Sequence, residues 1–143
     1  MVGRYHIDPE TAVMKIPDWP EPDQTLFKNS LVKGDPFSDE GLRADHREIS
    51  NQKVAKGYGR YLTFLKRHHP EVFDGPVEDR ITHDLVKLFV ENLISVGNRK
   101  VTILDRLQEL HSIAVIVAPT RSFRFLKDFE ARIRARMSDK EKP

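Results

Sequence analysis

The chain is organised around one stretch, Ser50-Asn-Gln-Lys-Val-Ala-Lys-Gly-Tyr-Gly-Arg-Tyr-Leu-Thr-Phe-Leu-Lys-Arg-His-His-Pro70. Its apolar residues recur at i, i+4, i+7, i+8 and i+11, which is one face of an α-helix: Val54, Tyr58, Tyr61, Leu62 and Leu65. At about 100° per residue, the basic residues fall roughly opposite: Lys53, Lys56, Arg60 and Arg67. We predict a helix with Ser50 as its N-cap that stops before Pro70.

The basic face of this helix carries no acidic residue. No Asp or Glu occurs between Ile49 and Pro70, although a solvated lysine face usually includes acids for i,i+4 pairing. Two interpretations are open, a soluble outer face or a surface that contacts phosphates. Gly57 and Gly59 flank the apolar stripe, at about 1 kcal/mol each against Ala. They predict that a neighbouring backbone approaches closely, most simply another helix, alternatively a phosphate.

Length and composition are typical of a single globular domain. The 143 residues are 38% hydrophobic and 32% charged, which is enough to bury a real core. Cysteine is absent, which excludes disulfides and cysteine zinc sites. No run reaches the roughly 18 apolar residues of a membrane span, and the N-terminus lacks a signal-peptide pattern. We therefore expect a cytoplasmic protein without a membrane partner.

The net charge of +2 is unevenly distributed. Residues 1–50 hold 6 basic and 10 acidic residues, residues 51–120 hold 10 and 8, and residues 121–143 hold 8 and 4. The three segments therefore carry −4, +2 and +4. Local patches matter more for DNA binding than the total, because counterion release depends on the number of phosphates contacted.

Prolines and polar runs predict the domain boundaries. Residues 1–22 contain four prolines and are predicted to form an extended arm, which Trp19 anchors on the core. Residues 23–137 form the helical domain, and residues 138–143 form a frayed tail or the start of a linker. The acidic, turn-rich loop 34–41 is placed away from any nucleic acid, and residues 42–49 form at most one helical turn.

Four more helices are predicted, each after an expected N-cap residue. They run from Asp23 to about Val32, from Thr82 to about Val96, from Asn98 to about Val117, and from Thr120 to about Met137. Gly97 is expected to end the second of these in the left-handed conformation. No strand is predicted. The fold class is therefore all-α, a bundle of about five helices.

Apolar stripes predict the buried face of each helix. The helix after Thr82 buries Leu85, Leu88, Phe89, Leu93 and Val96. The helix after Asn98 buries Ile103, Leu107, Leu110 and Ala114, and directs Thr102, Asp105, Glu109 and Ser112 away from the core. The helix after Thr120 buries Phe123, Leu126, Phe129 or Glu130, and Ile133.

Catalytic and metal-binding signatures are absent from the sequence. His68 and His69 are adjacent and diverge on a helix, no His-Glu-x-x-His occurs, and His111 is expected to pack beside the core. No nucleophile has a local base-and-orienter signature. We predict no catalytic residue, no metal and no cofactor, and no enzyme activity for this chain alone.

Four segments follow one another in an order known from one protein family. They are Asp18-Trp-Pro-Glu-Pro-Asp23, Gly57-Tyr-Gly-Arg-Tyr-Leu-Thr-Phe-Leu65, Arg80-Ile-Thr-His-Asp-Leu-Val86 and Thr102-Ile-x-x-x-Leu107-x-x-Leu110. In this order they resemble the N-terminal core-binding domain of tyrosine recombinases, or phage-type site-specific integrases, and the resemblance extends over roughly residues 18–136.

The resemblance implies a SAM-like orthogonal bundle that grips one side of a DNA duplex. In the family, an arginine pair, a His-x-x-Arg motif and a tyrosine nucleophile lie in a C-terminal catalytic domain. No histidine here is followed by arginine three residues later, so that domain is expected to lie outside this chain, in the same polypeptide. Other recombinase protomers on DNA are expected partners, and the isolated domain is expected to be a monomer. Asp105 and Glu109 depart from an ideal DNA-facing surface.

Ten residues are predicted to bind double-stranded DNA, cations on phosphates and amides on bases. They are Asn51, Gln52, Lys53, Lys56, Arg60, Arg67, Arg99, Lys100, Thr102 and Arg106. Base contacts are expected from Asn51, Gln52 or Lys100, and the cations are expected to form one positive surface. A helical protein-interaction domain and a stand-alone helical regulator remain as alternatives, and salt-dependent DNA binding discriminates between them and the DNA-binding module.

Overall fold

The computed structural model describes residues 9, 12–32, 41, 43–44 and 48–138. Within them lie five α-helices: α1 (Glu21–Ser30), α2 (Glu48–His68), α3 (His83–Ser95), α4 (Lys100–Val117) and α5 (Arg124–Arg136). Short 3₁₀ turns occur at Ile16–Asp18, Pro70–Asp74 and Val77–Asp79, and these ranges contain no strand. The predicted all-α bundle of about five helices is confirmed.

Helix α4 lies at the centre of the bundle and contacts each of the other four helices. Its core residues are fully buried, as the sequence predicts: Ile103, Leu107, Leu110 and Ala114. The end of α4 is also mostly buried, although Val115 is 40% exposed. None of the helices among the described residues is long and apolar enough to cross a bilayer.

Helix α2 packs its predicted apolar face into the core, where Tyr58, Tyr61, Leu62 and Leu65 are fully buried. It begins at Glu48, so the prediction of Ser50 as the N-cap is wrong. The Ser50 hydroxyl instead accepts a hydrogen bond from Arg43 Nη2 at 3.1 Å. A tertiary partner has replaced the backbone N–H that an N-cap side chain would engage.

A buried ionic network joins α1, α2 and the loop before α3. Arg80 Nη2 lies 3.1 Å from Asp23 Oδ1, and the Tyr58 hydroxyl donates to Asp23 Oδ2. Arg80 Nη1 also donates to the Val72 carbonyl at 3.0 Å. Asp23 was predicted to be an N-cap, and this is wrong: α1 begins two residues earlier, so the carboxylate points into the core.

The two signals that bound α3 are confirmed. Thr82 Oγ1 accepts a hydrogen bond from the Leu85 N–H, and Gly97 has φ of +91°. The Gly97 N–H donates to the Ile94 carbonyl and the Asn98 N–H to the Leu93 carbonyl, which is the Schellman pattern.

The predicted buried face of α3 is partly wrong. Phe89 and Leu93 are buried, but Leu88 is 40% exposed. Val86 and Val90 are buried instead, so the core-facing side of α3 is rotated from the predicted stripe. The neighbouring helices decide which side of α3 is buried, and the apolar pattern of a single helix carries no information about those neighbours.

Two further N-cap predictions are wrong. Helix α4 begins at Lys100, and the Asn98 amide donates to the Leu93 carbonyl at the end of α3. Helix α5 begins at Arg124 rather than after Thr120, with no side-chain cap hydrogen bond. In α5 the alternative core position is correct, since Glu130 is 3% exposed.

Trp19 anchors the arm on the core, as predicted. It is 3% exposed, packs edge-on against Phe27 and Tyr58, and donates from Nε1 to the Met14 carbonyl at 2.8 Å. The Met14 N–H in turn donates to the Gly59 carbonyl at 3.2 Å. Other predictions lie outside the described residues: most of the loop 34–41, residues 42 and 45–47, and the tail from residue 139.

Candidate nucleic-acid interface

A basic cleft lies between α2 and α4. Lys53, Lys56 and Arg60 are spaced i, i+3 and i+7 on α2, so they share one helical face, and they meet Arg106 across the cleft. The cleft encloses about 250 Å³. Its remaining lining residues are Ile49, Gln52, Asp105 and Glu109.

The groove continues beyond this cleft along the same two helices. A second section of about 240 Å³ is also lined by Lys53, Asp105 and Glu109, which the two sections share. Its other lining residues are Arg43, Ser50, Val54, Gln108 and Ser112. Arg60 lies beside Arg106 in one section and Lys53 beside Ser112 in the other, so the two helices run antiparallel here. We call the two sections together the α2–α4 groove.

The floor of the groove is an ion pair that the sequence did not predict. Glu109 was expected to point away from the core, and this is wrong because the residue is 3% exposed. Arg106 Nη1 donates to both Glu109 carboxylate oxygens, at 2.6 and 2.7 Å. The Arg106 side chain remains 17% exposed, so it faces both the carboxylate and the groove.

Arg60 is held beside this pair. It is half-buried, and burial lowers its pKa, with the positive charge of Arg106 acting in the same direction and the Glu109 carboxylate opposing it. The guanidinium stays charged, because arginine is not deprotonated in proteins. A partly desolvated cation such as Arg60 gains more free energy from binding an anion than a fully hydrated cation does.

The two glycines of α2 make room for two different neighbours. A Cβ added at Gly57 would lie 2.6 Å from the Cβ of Glu109, so the predicted close approach of another helix is confirmed there. At Gly59 the neighbour is the backbone of the arm, since an added Cβ would collide with the Met14 carbonyl. Neither glycine faces open space.

The two amides predicted to contact bases lie in different surroundings. Asn51 Oδ1 accepts from Arg43 Nε at 2.6 Å, and the side chain is half-buried. Gln52 is exposed, lines the groove and donates from Nε2 to Glu48 Oε2 at 3.2 Å. Gln52 is therefore the better placed of the two.

Five of the predicted DNA-binding residues lie outside the lining of the groove: Asn51, Arg67, Arg99, Lys100 and Thr102. Arg67 and Arg99 are exposed, and Thr102 is half-buried. Lys100 Nζ donates to the Arg134 carbonyl in the last turn of α5, at 2.8 Å, where a cation suits the helix dipole. The structure therefore gathers Lys53, Lys56, Arg60 and Arg106, while a single surface of all seven cations stays a prediction.

Arg43 is the groove residue that sequence reasoning missed. It is 6% exposed, and burial lowers its pKa. The residue precedes α2 in a segment without helical periodicity, so no local pattern marks it. Only its partners on α2, Asn51 and Ser50, reveal its place.

The described part of the chain contains no group of three or more His, Cys, Asp or Glu residues that could hold a metal ion. His69 and His83 each lie beside one carboxylate, Glu71 at 3.8 Å and Asp84 at 2.9 Å. Both pairs are adjacent or near-adjacent in sequence, and their carboxylates are largely exposed. Among the described residues the geometry therefore provides a cationic groove rather than a set of metal ligands.

Comparison with protein-family models, with curated proteins and with solved structures found no significant match.

Proposed function

We propose that this chain is a duplex-DNA-binding module, of the kind that forms the non-catalytic side of a site-specific recombinase. The α2–α4 groove is the observation that carries the DNA-binding part. The recombinase part rests on the motif resemblance over residues 18–136. On this proposal the chain works in the cytoplasm, with the catalytic domain and other protomers as partners on the DNA.

The charge of the groove favours phosphate. Its first section places four cations, Lys53, Lys56, Arg60 and Arg106, against two carboxylates, Asp105 and Glu109, so two positive charges remain. The cations of α2 stand on a face without acids of its own. Lys53 and Lys56 are exposed and can follow a phosphate backbone, while the half-buried Arg60 is fixed in place.

The experiment that tests the proposal is a salt titration of duplex binding, followed by fluorescence anisotropy. We expect wild-type affinity to fall steeply between about 50 and 200 mM salt. Lys56→Ala and Arg60→Ala should each reduce the magnitude of the negative slope of log K against log salt by about 0.9, on specific and random duplexes alike. Lys127→Ala, an exposed lysine on α5, is the matched control and should leave the slope unchanged. Duplex binding that is absent at low salt, or indifferent to salt, would refute the proposal.

Base contacts, where they occur, are assigned to Gln52. It is exposed in the groove, where its amide donates to the exposed Glu48 carboxylate. Asn51 is instead held by Arg43, and Lys100 donates to the Arg134 carbonyl away from the groove. Glutamine can pair bidentately with adenine, at about 1–3 kcal/mol of discrimination. Gln52→Ala should therefore reduce the preference among sequences more than the affinity for random duplex.

A protein-interaction role is the second candidate, and one observation favours it. A cleft of about 440 Å³ lies between α3 and α5. It contains an aromatic cluster in which His83 lies 5.7 Å from Phe125 and 5.1 Å from Phe129, between ring centroids. Phe129→Ala should weaken the binding of a protein partner without changing the salt dependence of DNA binding, so the two functions can be separated experimentally.

A further inference from the structure

The ion pair on the floor of the groove occupies one of its cations. Arg106 Nη1 donates to both oxygens of Glu109, and this carboxylate is 3% exposed. The carboxylate is also confined from the other side, because it packs against the backbone of α2 at Gly57. Glu109 therefore cannot leave Arg106 for water without α2 and α4 moving apart.

Carboxylate and phosphate oxygens compete for the same guanidinium donors. Arg106 faces the groove with 17% of its side chain exposed, so a phosphate in the groove would meet a guanidinium already paired. Lys53, Lys56 and Arg60 have no such partner among the α2 residues after Ile49, which include no acid.

We propose that Glu109 acts as a built-in competitor for phosphate, which withholds Arg106 from DNA and so limits the number of phosphates that the groove contacts. Wild-type binding then uses the cations of α2, and the pair between Arg106 and Glu109 stays closed. Glu109 is a positioning residue, since it sets the state of Arg106 and does not touch DNA. This inference rests on the proposed DNA-binding function.

The test compares salt titrations of duplex binding for wild type and Glu109→Gln. Without the carboxylate, Arg106 becomes available, so the slope of log K against log salt should steepen by about 0.9, which is one more phosphate. A fourfold rise in salt should then weaken the variant about 3.5-fold more than wild type. Glu91→Gln, an exposed acid on α3, removes the same charge elsewhere and should leave the slope unchanged.

A double variant keeps the test decisive if Glu109→Gln does not fold, as judged by circular dichroism. Arg106→Gln with Glu109→Gln removes both charges and leaves the net charge unchanged. If neither residue contributes a phosphate contact in wild type, the double variant has the wild-type slope. A slope shallower than that of wild type by about 0.9 would show that Arg106 already contacts phosphate in wild type and would overturn the inference.

The outcomes separate this inference from the proposed function. Steep salt dependence in wild type together with an unchanged slope in Glu109→Gln overturns the role of Glu109 and leaves DNA binding standing. Salt-independent or absent binding in wild type overturns the proposed function itself, whatever the variants do.

Discussion

Replacing Asp23 with Ala should be the most destabilising single change to a charged residue in the described part of the chain. The substitution removes the carboxylate that Arg80 contacts at 3.1 Å and that the Tyr58 hydroxyl bonds. Arg80, 2% exposed, keeps its hydrogen bond to the Val72 carbonyl but loses its counter-ion. A buried charge left without its partner costs about 3–5 kcal/mol of folding free energy.

Urea denaturation followed by circular dichroism measures this loss. With a dependence on urea of about 2 kcal/mol per molar, the midpoint should fall by roughly 1.5–2.5 M. Asp18→Ala, an exposed acid in the arm that precedes α1, is the control and should change the free energy of unfolding by less than about 0.5 kcal/mol.

A double substitution tests the reasoning itself. Asp23→Leu with Arg80→Met removes both charges, so its cost should be well below the sum of the two single changes. Additive costs, or a loss for Asp23→Ala no larger than that for Asp18→Ala, would refute the idea that the pair is electrostatically coupled.

Two further predictions concern folding stability. Gly57→Ala should lower the free energy of unfolding by about 1–3 kcal/mol, although alanine has the better helix propensity, because the new Cβ lies 2.6 Å from Glu109 Cβ. Adding Glu109→Ala should not restore stability, since the Cβ of residue 109 remains. Restored stability of the double variant in urea denaturation would contradict the packing argument. Burial raises the pKa of Tyr58, assisted by the Asp23 charge, and burial also raises that of Tyr61. The folded state then retains protons that the unfolded state loses above its ordinary pKa of 10.0. The tyrosine contribution to stability should therefore be constant below about pH 10 and fall above it, by up to about 1.4 kcal/mol per pH unit for each tyrosine. Tyr61→Phe should halve that fall, and an unchanged pH profile would argue against the tyrosine as its source.

The helical spacing of apolar residues predicted the core of α2 and α4, because each of these helices has one clear apolar face. Tyr58, Leu62, Ile103 and Leu107 repeat at helical spacing, and all four are fully buried. The same logic was less successful on α3, where the packing of neighbours rotates the buried face away from Leu88. A short helix with apolar residues on more than one side has no single face that its sequence defines.

Two of the cap predictions failed because the polar side chain has a partner outside its own helical turn. Thr82 caps α3 through its own backbone neighbourhood. Asp23 and Ser50 can cap a helix in the same way, but each is bonded to an arginine outside its own helix, Asp23 to Arg80 and Ser50 to Arg43. An ionic partner in a buried site outweighs a local cap worth about 1 kcal/mol, and such partners are invisible to a local pattern.

The candidate site shows the same limit for a pair of helices. The sequence correctly placed Lys53, Lys56 and Arg60 on one face and found it free of acids. It could not show that Gly57, on the edge of that face, admits Glu109 from α4. The absence of acids between Ile49 and Pro70 is thus a statement about one helix, while the electrostatic character of the groove depends on both helices. Because Glu109 reaches the groove already paired with Arg106, three cations of α2 still face one further carboxylate, Asp105, in the first section of the groove. The basic face of α2 therefore keeps its excess positive charge.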